Sequence, residues 1–342
     1  PFRRPLEYWA SVPLARSLGV RGFAEQFPHL DGRLSLHAAT HGPGAVLFLW
    51  LLSGLSGGSL LGVSFWVTLV GIAGAVPTYA VARELAGERT ARLAGLLFLC
   101  APGVLIYSAT SMDAVFMTAV AVALAALVRA PRSVGWAIGA GLLAALALSF
   151  TFGAFTLGLF ALGIGVVALR DRRQTAATLL ARGALVLAGL VLGLLLLRLL
   201  FGMNLVADFR AASRANFHDA SRARPYAYWV FANIPAFLWV AGVAQTALLV
   251  HQTRSRWRAR AFGFETVLLC VIAVASLSGV FLGEVDHIWL FFVPPLAAVA
   301  ASGLERLLAV RDGPQADRYL RGVVAGSLGQ TALIQLLLYT YW

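Results

Sequence analysis

The chain has 342 residues, 60% hydrophobic and only 12% charged, with 27 basic against 15 acidic side chains and a net charge of +12. Soluble domains average about 45–50% apolar and about 25% charged residues, so this composition, with a mean hydropathy of +0.81, excludes an ordinary soluble domain and a disordered chain. Nucleic-acid binding is disfavoured too: the basic residues are all arginine and gather in short connectors between apolar runs, as membrane topology demands.

In chain order, the opening has no initiator Met, no signal-type apolar region and no preceding span, so it reads as the middle of an outer loop with an upstream helix expected. Leu6, Trp9, Ala10, Pro13, Leu14 and Leu18 recur at roughly helical spacing beside Arg3, Arg4 and Arg16, which predicts an amphipathic helix on a membrane surface. Apolar blocks follow at 42–61, 63–82, 93–108, 113–128, 134–149, 152–169, 179–200, 229–250, 264–282, 288–308 and 322–340. Hydrocarbon offers the backbone no water, so the blocks should be helical. The expectation is an all-α integral membrane protein with about ten transmembrane helices plus outer juxtamembrane helices. Cys100 and Cys270 lie inside apolar runs without a CxxC partner and read as small buried hydrophobes.

Every second connector is arginine-rich: 83–92, 129–132, 170–173, 254–260 and 311–321. The positive-inside rule then places 83–92 in the cytoplasm and residue 113 outside. Residues 1–62 become an outer first loop, in which 42–61, broken by "SGLSGG", is interfacial or re-entrant. The alternative, a spanning hairpin of 42–61 and 63–82, reverses that connector. The favoured reading divides the chain into this loop, a transmembrane module (63–200), an outer loop (201–228) and C-terminal transmembrane helices (229–342).

Sorted by this topology, Glu7, Glu25, Asp31, Asp113, Asp208, Asp219, Glu284 and Asp286 fall outside, with five of the six histidines: His29, His37, His41, His218 and His287. Groups capable of acid–base or metal chemistry thus converge on one face. In "LHAATHGPG", His37 and His41 share a helical face, as two metal ligands would, but no third ligand follows at metalloprotease spacing. Pro43 can open a helix whose N-terminus favours anions, so contact with a phosphate competes with a plain capping turn. In "YSATSMDAVFMT", Asp113 is either an N-terminal cap or a ligand group. In "GEVDHIWLFFVPPL", Glu284, Asp286 and His287 crowd one short turn at a membrane boundary, which is costly unless they face a cavity. On the 201–228 loop, Arg210 and Arg214 stand four apart, suited to a phosphate or diphosphate, or to a solvated amphipathic helix.

These motifs together resemble the GT-C superfamily of polyprenyl-phosphate-sugar-dependent glycosyltransferases, close to protein O-mannosyltransferases and lipid A aminoarabinose transferases. "HGPGAVLFLWLL" stands where those proteins carry a His/Lys-Pro-Pro motif. "YAVARELAGERTARLAGLLFLCAPGVLIYSATSMDAVFMT" resembles the next two spans and second outer loop. The resemblance covers residues 1–170; the late turn resembles a Glu-x-x-Arg turn of bacterial members, with His287 where Arg is common. It implies inverting transfer of a sugar from a polyprenyl phosphate to a hydroxyl of a cell-envelope glycan, lipid or protein, at the outer face of the bacterial cytoplasmic membrane. It also allows a divalent cation (Mg or Mn) as cofactor; the sugars expected, mannose or arabinofuranose, follow from the GC-rich bacterial look of the arginine-only sequence. Glu7, Asp31 and Asp113 are the expected catalytic carboxylates. His41, His37, Arg210, Arg214, Glu284, Asp286 and His287 are expected around the donor phosphate. A lipid-linked saccharide flippase, or a non-catalytic subunit of an envelope-synthesis complex, is the competing reading.

Overall fold

The computed structural model describes residues 7–30, 32–109, 111–217 and 224–337, and among these the regular structure is entirely helical. A 3-10 turn at Tyr8–Ser11 leads into α1 (Val12–Gln26), which kinks at Gly19, where φ is +73°. The helix expected over 5–18 thus starts later and runs further. A short α2 (Leu36–Ala39) and α3 (Pro43–Leu55) follow. Pro43 at the first turn opens α3, and Gly57 and Gly58, both at positive φ, close it. Its 13 residues rise about 20 Å, short of the ~30 Å hydrocarbon core.

The spans begin with α4 (Leu60–Ala73) and α5 (Ala75–Ala86), which together form one 27-residue span. The return is broken: α6 (Glu88–Leu99) stops one turn before Pro102, which opens α7 (Pro102–Tyr107). Next come α8 (Asp113–Leu127), α9 (Val134–Phe150), α10 (Thr156–Arg170) and α11 (Ala176–Phe201). Gly202, left-handed at φ +82°, turns the chain into the amphipathic α12 (Leu205–Ala215). Helices α13 (Tyr226–Ala241) and α14 (Val243–Arg258) meet at 109° across Gly242, whose φ of +110° suits only glycine. The chain closes with α15 (Phe264–Leu277), α16 (Val285–Ile288), α17 (Val293–Ala309) and α18 (Gly313–Leu337).

Five helical segments among the described residues are long and apolar enough to span, and six if the bent α13–α14 pair is one span. That is fewer than the apolar blocks suggest, for local reasons. Pro102 cuts one block, Gly242 bends another, and α3, α9 and α15 are apolar but only 13 to 17 residues long. The all-helical, multi-pass architecture itself is as expected.

Polarity along the helices separates two ends of the bundle. In α8, Asp113 stands at one end and Arg129 just beyond the other; in α10, Thr156 and Arg170 do the same. Fifteen residues of helix separate such groups by about 22 Å. Arg83, Arg89, Arg92, Arg129, Arg132, Arg170, Arg173, Arg256 and Arg306 belong to the second end, as the alternation of connectors anticipates. Helices α8 and α17 form the buried centre, and a second apolar cluster docks the first-loop side chains Tyr8, Phe23 and Phe27 onto α3, α4 and Phe116 of α8. Helices α9 and α11 pack backbone to backbone: a Cβ at Gly141 would overlap the Val186 carbonyl, and one at Gly189 that of Ile138. Small residues permit such contact in lipid, where close packing replaces the hydrophobic drive.

Candidate active site

The end opposite the arginines holds a cavity of about 600 Å³ whose walls carry Tyr8, His37, His41, Asp113, Arg224, Glu284 and His287. One face is apolar and aromatic, supplied by Phe152 and Phe155 before α10 and by Phe209 of α12; the three rings pack together at 5.1–6.2 Å.

Asp113 opens α8 and is buried. Its Oδ2 accepts from Ser111 Oγ at 2.5 Å and lies 2.9 Å from His287 Nδ1. An ionised carboxylate only accepts, so this bond puts the imidazole proton on Nδ1. No described residue donates to Asp113 Oδ1, which leaves that oxygen to a ligand. His287 comes from the crowded turn, whose three ionisable groups take three partners. Glu284 pairs with Arg224, Asp286 accepts from Tyr107 Oη, and His287 meets Asp113. The turn needs support, because Glu284 itself is left-handed at φ +56°, a conformation that costs an L-residue roughly 1–2 kcal/mol. Arg224 donates to the Leu282 carbonyl at 2.6 Å. Asn233 of α13 donates to the Phe281 carbonyl at 2.6 Å and accepts from Gly283 N–H at 3.2 Å.

On the facing wall, "LHAATHGPG" wraps from α2 into α3. His41 stacks on Phe116 at 5.2 Å and meets Tyr8 edge-on at 5.5 Å. Its Nδ1 lies 3.1 Å from the His37 carbonyl, which can only accept, so Nδ1 carries the proton and Nε2 is the basic nitrogen. Burial brings the His41 pKa down to about 4, against a smaller opposing pull from Asp113. His41 is therefore neutral at pH 7, and binds a phosphate well only if it takes up a proton with it. Burial, then Asp113, Glu7 and Glu284, push the Tyr8 phenol well above its usual range and keep it a donor. The Gly-Pro-Gly that departs from Pro-Pro has a packing cause: a Cβ on Gly42 would overlap the Ser149 carbonyl, and one on Gly44 would lie 2.7 Å from it. The glycines let the start of α3 touch the end of α9.

Of the expected site residues, Asp113, His37, His41, Glu284 and His287 line the cavity. Glu7 sits behind them, buried, with Oε2 3.7 Å from His37 Nδ1. Asp286 is set back on Tyr107. Arg210 and Arg214 are exposed on α12 and do not line the cavity. The arginine that does is Arg224, whose cue in the sequence is its place against Pro225, at the very start of a span. Asp31 lies outside the described residues. Tyr8, Tyr107 and Asn233 are additions that sequence alone does not single out. As to a divalent cation, no three His, Cys, Asp or Glu side chains among the described residues converge as a ligand set, and Glu284 and Asp113 are already engaged by Arg224 and His287. The donors present do not fit a resident metal.

The all-helical multi-pass bundle, with a charged cavity at one end of its spans, is similar to known proteins both in a family pattern and in fold. Residues 40–198 match the family described as dolichyl-phosphate-mannose-protein mannosyltransferase. Two solved structures of ArnT from Cupriavidus metallidurans share the fold at 17% identity. The apo form has a TM-score of 0.55 over 92% of this chain and 60% of its own; the form bound to undecaprenyl phosphate has 0.53 over 97% and 72%. This chain thus spans about 60% of the length of the apo ArnT chain. Comparison with curated proteins gives no match.

Proposed function

We propose that the protein transfers a sugar from a polyprenyl-phosphate donor to a hydroxyl group of a cell-envelope glycan, lipid or protein, at the outer face of the bacterial cytoplasmic membrane. The observation that carries this reading is the cavity itself. It joins an oriented carboxylate, Asp113, to an arginine, Arg224, and an aromatic wall at one end of the helical bundle. The gathering of the connector arginines Arg83, Arg89, Arg92, Arg129, Arg132, Arg170 and Arg173 at the opposite end supports an outward-facing site, and the ArnT structure bound to undecaprenyl phosphate supports a polyprenyl carrier.

In the proposed reaction, Asp113 Oδ1 accepts the proton of the acceptor hydroxyl as its oxygen attacks the anomeric carbon from the face opposite the phosphate. The bond from that carbon to the phosphate oxygen breaks, its electron pair leaves with the polyprenyl phosphate, and the configuration inverts. His287 holds Asp113 in register through Oδ2, as a base oriented by a third group. Arg224 meets the charge growing on the phosphate, and Tyr8 is a neutral donor beside it. Glu7 acts behind His37 and fixes its ring. The sugar is proposed to be mannose or arabinofuranose, from the GC-rich bacterial look of a sequence whose basic residues are all arginine.

The test is transfer from a synthetic polyprenyl-phospho-sugar by protein in nanodiscs. Asp113→Asn keeps the shape and removes the base; it is expected to lower the rate by about 10²–10⁴-fold with substrate binding retained. Full activity in Asp113→Asn would sink the assignment.

A further inference from the structure

At the arginine-rich end lies a second cavity, of about 480 Å³, that the proposed transfer does not use. One continuous stretch of helix lines both in each of two places: α10 gives Thr156 to the first and Val167 to the second, and the α16–α17 segment gives Ile288 to the first and Glu305 to the second. The two therefore lie roughly a bundle length apart.

The chemistry of this second cavity is balanced rather than basic. Asp171, Glu265 and Glu305 face it together with Arg173, Arg256 and Arg306. Internal bonds occupy part of this set: Arg256 Nε donates to Glu265 Oε1 at 3.3 Å, Arg306 Nη1 to Ser255 Oγ at 2.9 Å, and Thr90 to Glu305. Gly263 has no Cβ that could press on the first of these pairs; one added there would lie 2.6 Å from Glu265 Oε2 and 3.0 Å from Arg256 Nη2. Gln252 also lines the cavity, is only 6% exposed, and its Oε1 has no hydrogen-bond partner among the described residues. A buried carbonyl without a donor is costly, and the side chain that carries it lines the cavity. What it lacks is a donor, beside carboxylates that already hold partners of their own.

We propose that this cavity binds the head group of an ammonium-bearing phospholipid: the phosphodiester against Arg256 and Arg306, the ammonium against Gln252 Oε1 and Glu305. An anionic head group would satisfy the arginines and leave Gln252 Oε1 unmet. A zwitterion satisfies both. The position argues for a lipid over a soluble zwitterion. The cavity opens where α5, α10 and α17 end, and Leu85, Leu169 and Val310 stand exposed around it as apolar surface for acyl chains. Basic pockets between helices at this level receive lipid head groups; the carboxylates and Gln252 narrow the class.

The test is lipid retention by the purified chain in native mass spectrometry, with phosphatidylethanolamine, phosphatidylglycerol and phosphatidylcholine of equal chain length. The wild type is expected to hold phosphatidylethanolamine about tenfold better than either, the factor one charge-assisted hydrogen bond supplies. Gln252→Leu removes the unmet carbonyl without creating a void and should abolish the preference over phosphatidylcholine while melting no earlier. Arg306→Gln should weaken retention of phosphatidylethanolamine and phosphatidylglycerol alike. Equal retention of all three lipids, preference for phosphatidylglycerol, or a preference untouched by both variants overturns the proposal. So does binding of soluble O-phosphoethanolamine as tight as that of the lipid. The wild-type comparison needs no variant to fold, and none of these outcomes depends on the transfer reaction.

Discussion

Gly42 offers the sharpest test of how the fold positions the cavity. Its N–H donates to the Phe150 carbonyl at 3.3 Å, and a Cβ built on it lies 2.6 Å from the Ser149 carbonyl carbon. Carbon atoms pack at about 3.5–4.0 Å, so Gly42→Ala must part α3 from α9 by about 1 Å. The obstacle is backbone, so no rotamer relieves it. His41, the preceding residue, moves with it, away from its contact with Phe116 and from the His37 carbonyl. A displacement of about 1 Å in a reacting site costs on the order of 10²-fold in rate, and overpacking costs about 1–3 kcal/mol of stability. Gly54→Ala is the control: it lies in the same helix with nothing within 4 Å of its Cβ, and alanine there should stabilise by up to about 1 kcal/mol. Transfer assays and thermal melting in nanodiscs read both quantities. If Gly42→Ala matched Gly54→Ala in rate and melting temperature, the close approach of α3 to α9 would not be what holds the histidine wall.

Other outcomes follow from the same geometry. Asn233→Leu removes both clamps on the Phe281–Gly283 backbone, at about 1 kcal/mol per lost bond; kcat should fall more than KM rises, because Asn233 acts through Glu284 and His287 without lining the cavity. Asp208 is fully buried on α12, its oxygens have no partner among the described residues, and burial pushes its carboxyl up to about 7. The unfolded chain ionises this group near pH 3.9, so between about pH 4 and 7 only the folded chain keeps the proton, and stability falls as pH rises through that window. Asp208→Asn should flatten the slope, a gain of at most about 4 kcal/mol above pH 7, readable as melting temperature against pH. Gly189→Val should lower the melting temperature by forcing α11 off the Ile138 carbonyl, where Gly183→Val, in open space on the same helix, should not.

The class of fold was legible because arginine placement and long apolar blocks report directly on water and lipid. The number of spans was less so. Block length does not reveal that Pro102 interrupts a return or that Gly242 bends a helix by 109°, since an apolar segment buried in protein looks like one facing lipid. At the site, the sequence marked Asp113, His41 and the Glu284–His287 turn as polar groups at helix boundaries. It did not reveal who partners whom, because Asp113 and His287 are 174 residues apart and meet only through tertiary packing. Arg210 and Arg214 drew notice by their helical spacing, yet the buried face of α12 is the one with Leu205, Asp208, Ala211 and Ala212, and it turns those arginines outward.

The scant burial of α11 has a mechanical consequence. Only 17% of its apolar window is covered by protein, and its main contact is the glycine seam with α9. At 26 residues it is about 39 Å long, with Arg182 and Arg198 near its two ends. Gly202 joins its end to α12, and α12 carries Phe209, Ala212 and Ser213 of the cavity wall. The Gly141–Gly189 seam thus fixes the helix from which the α12 wall of the cavity is hung.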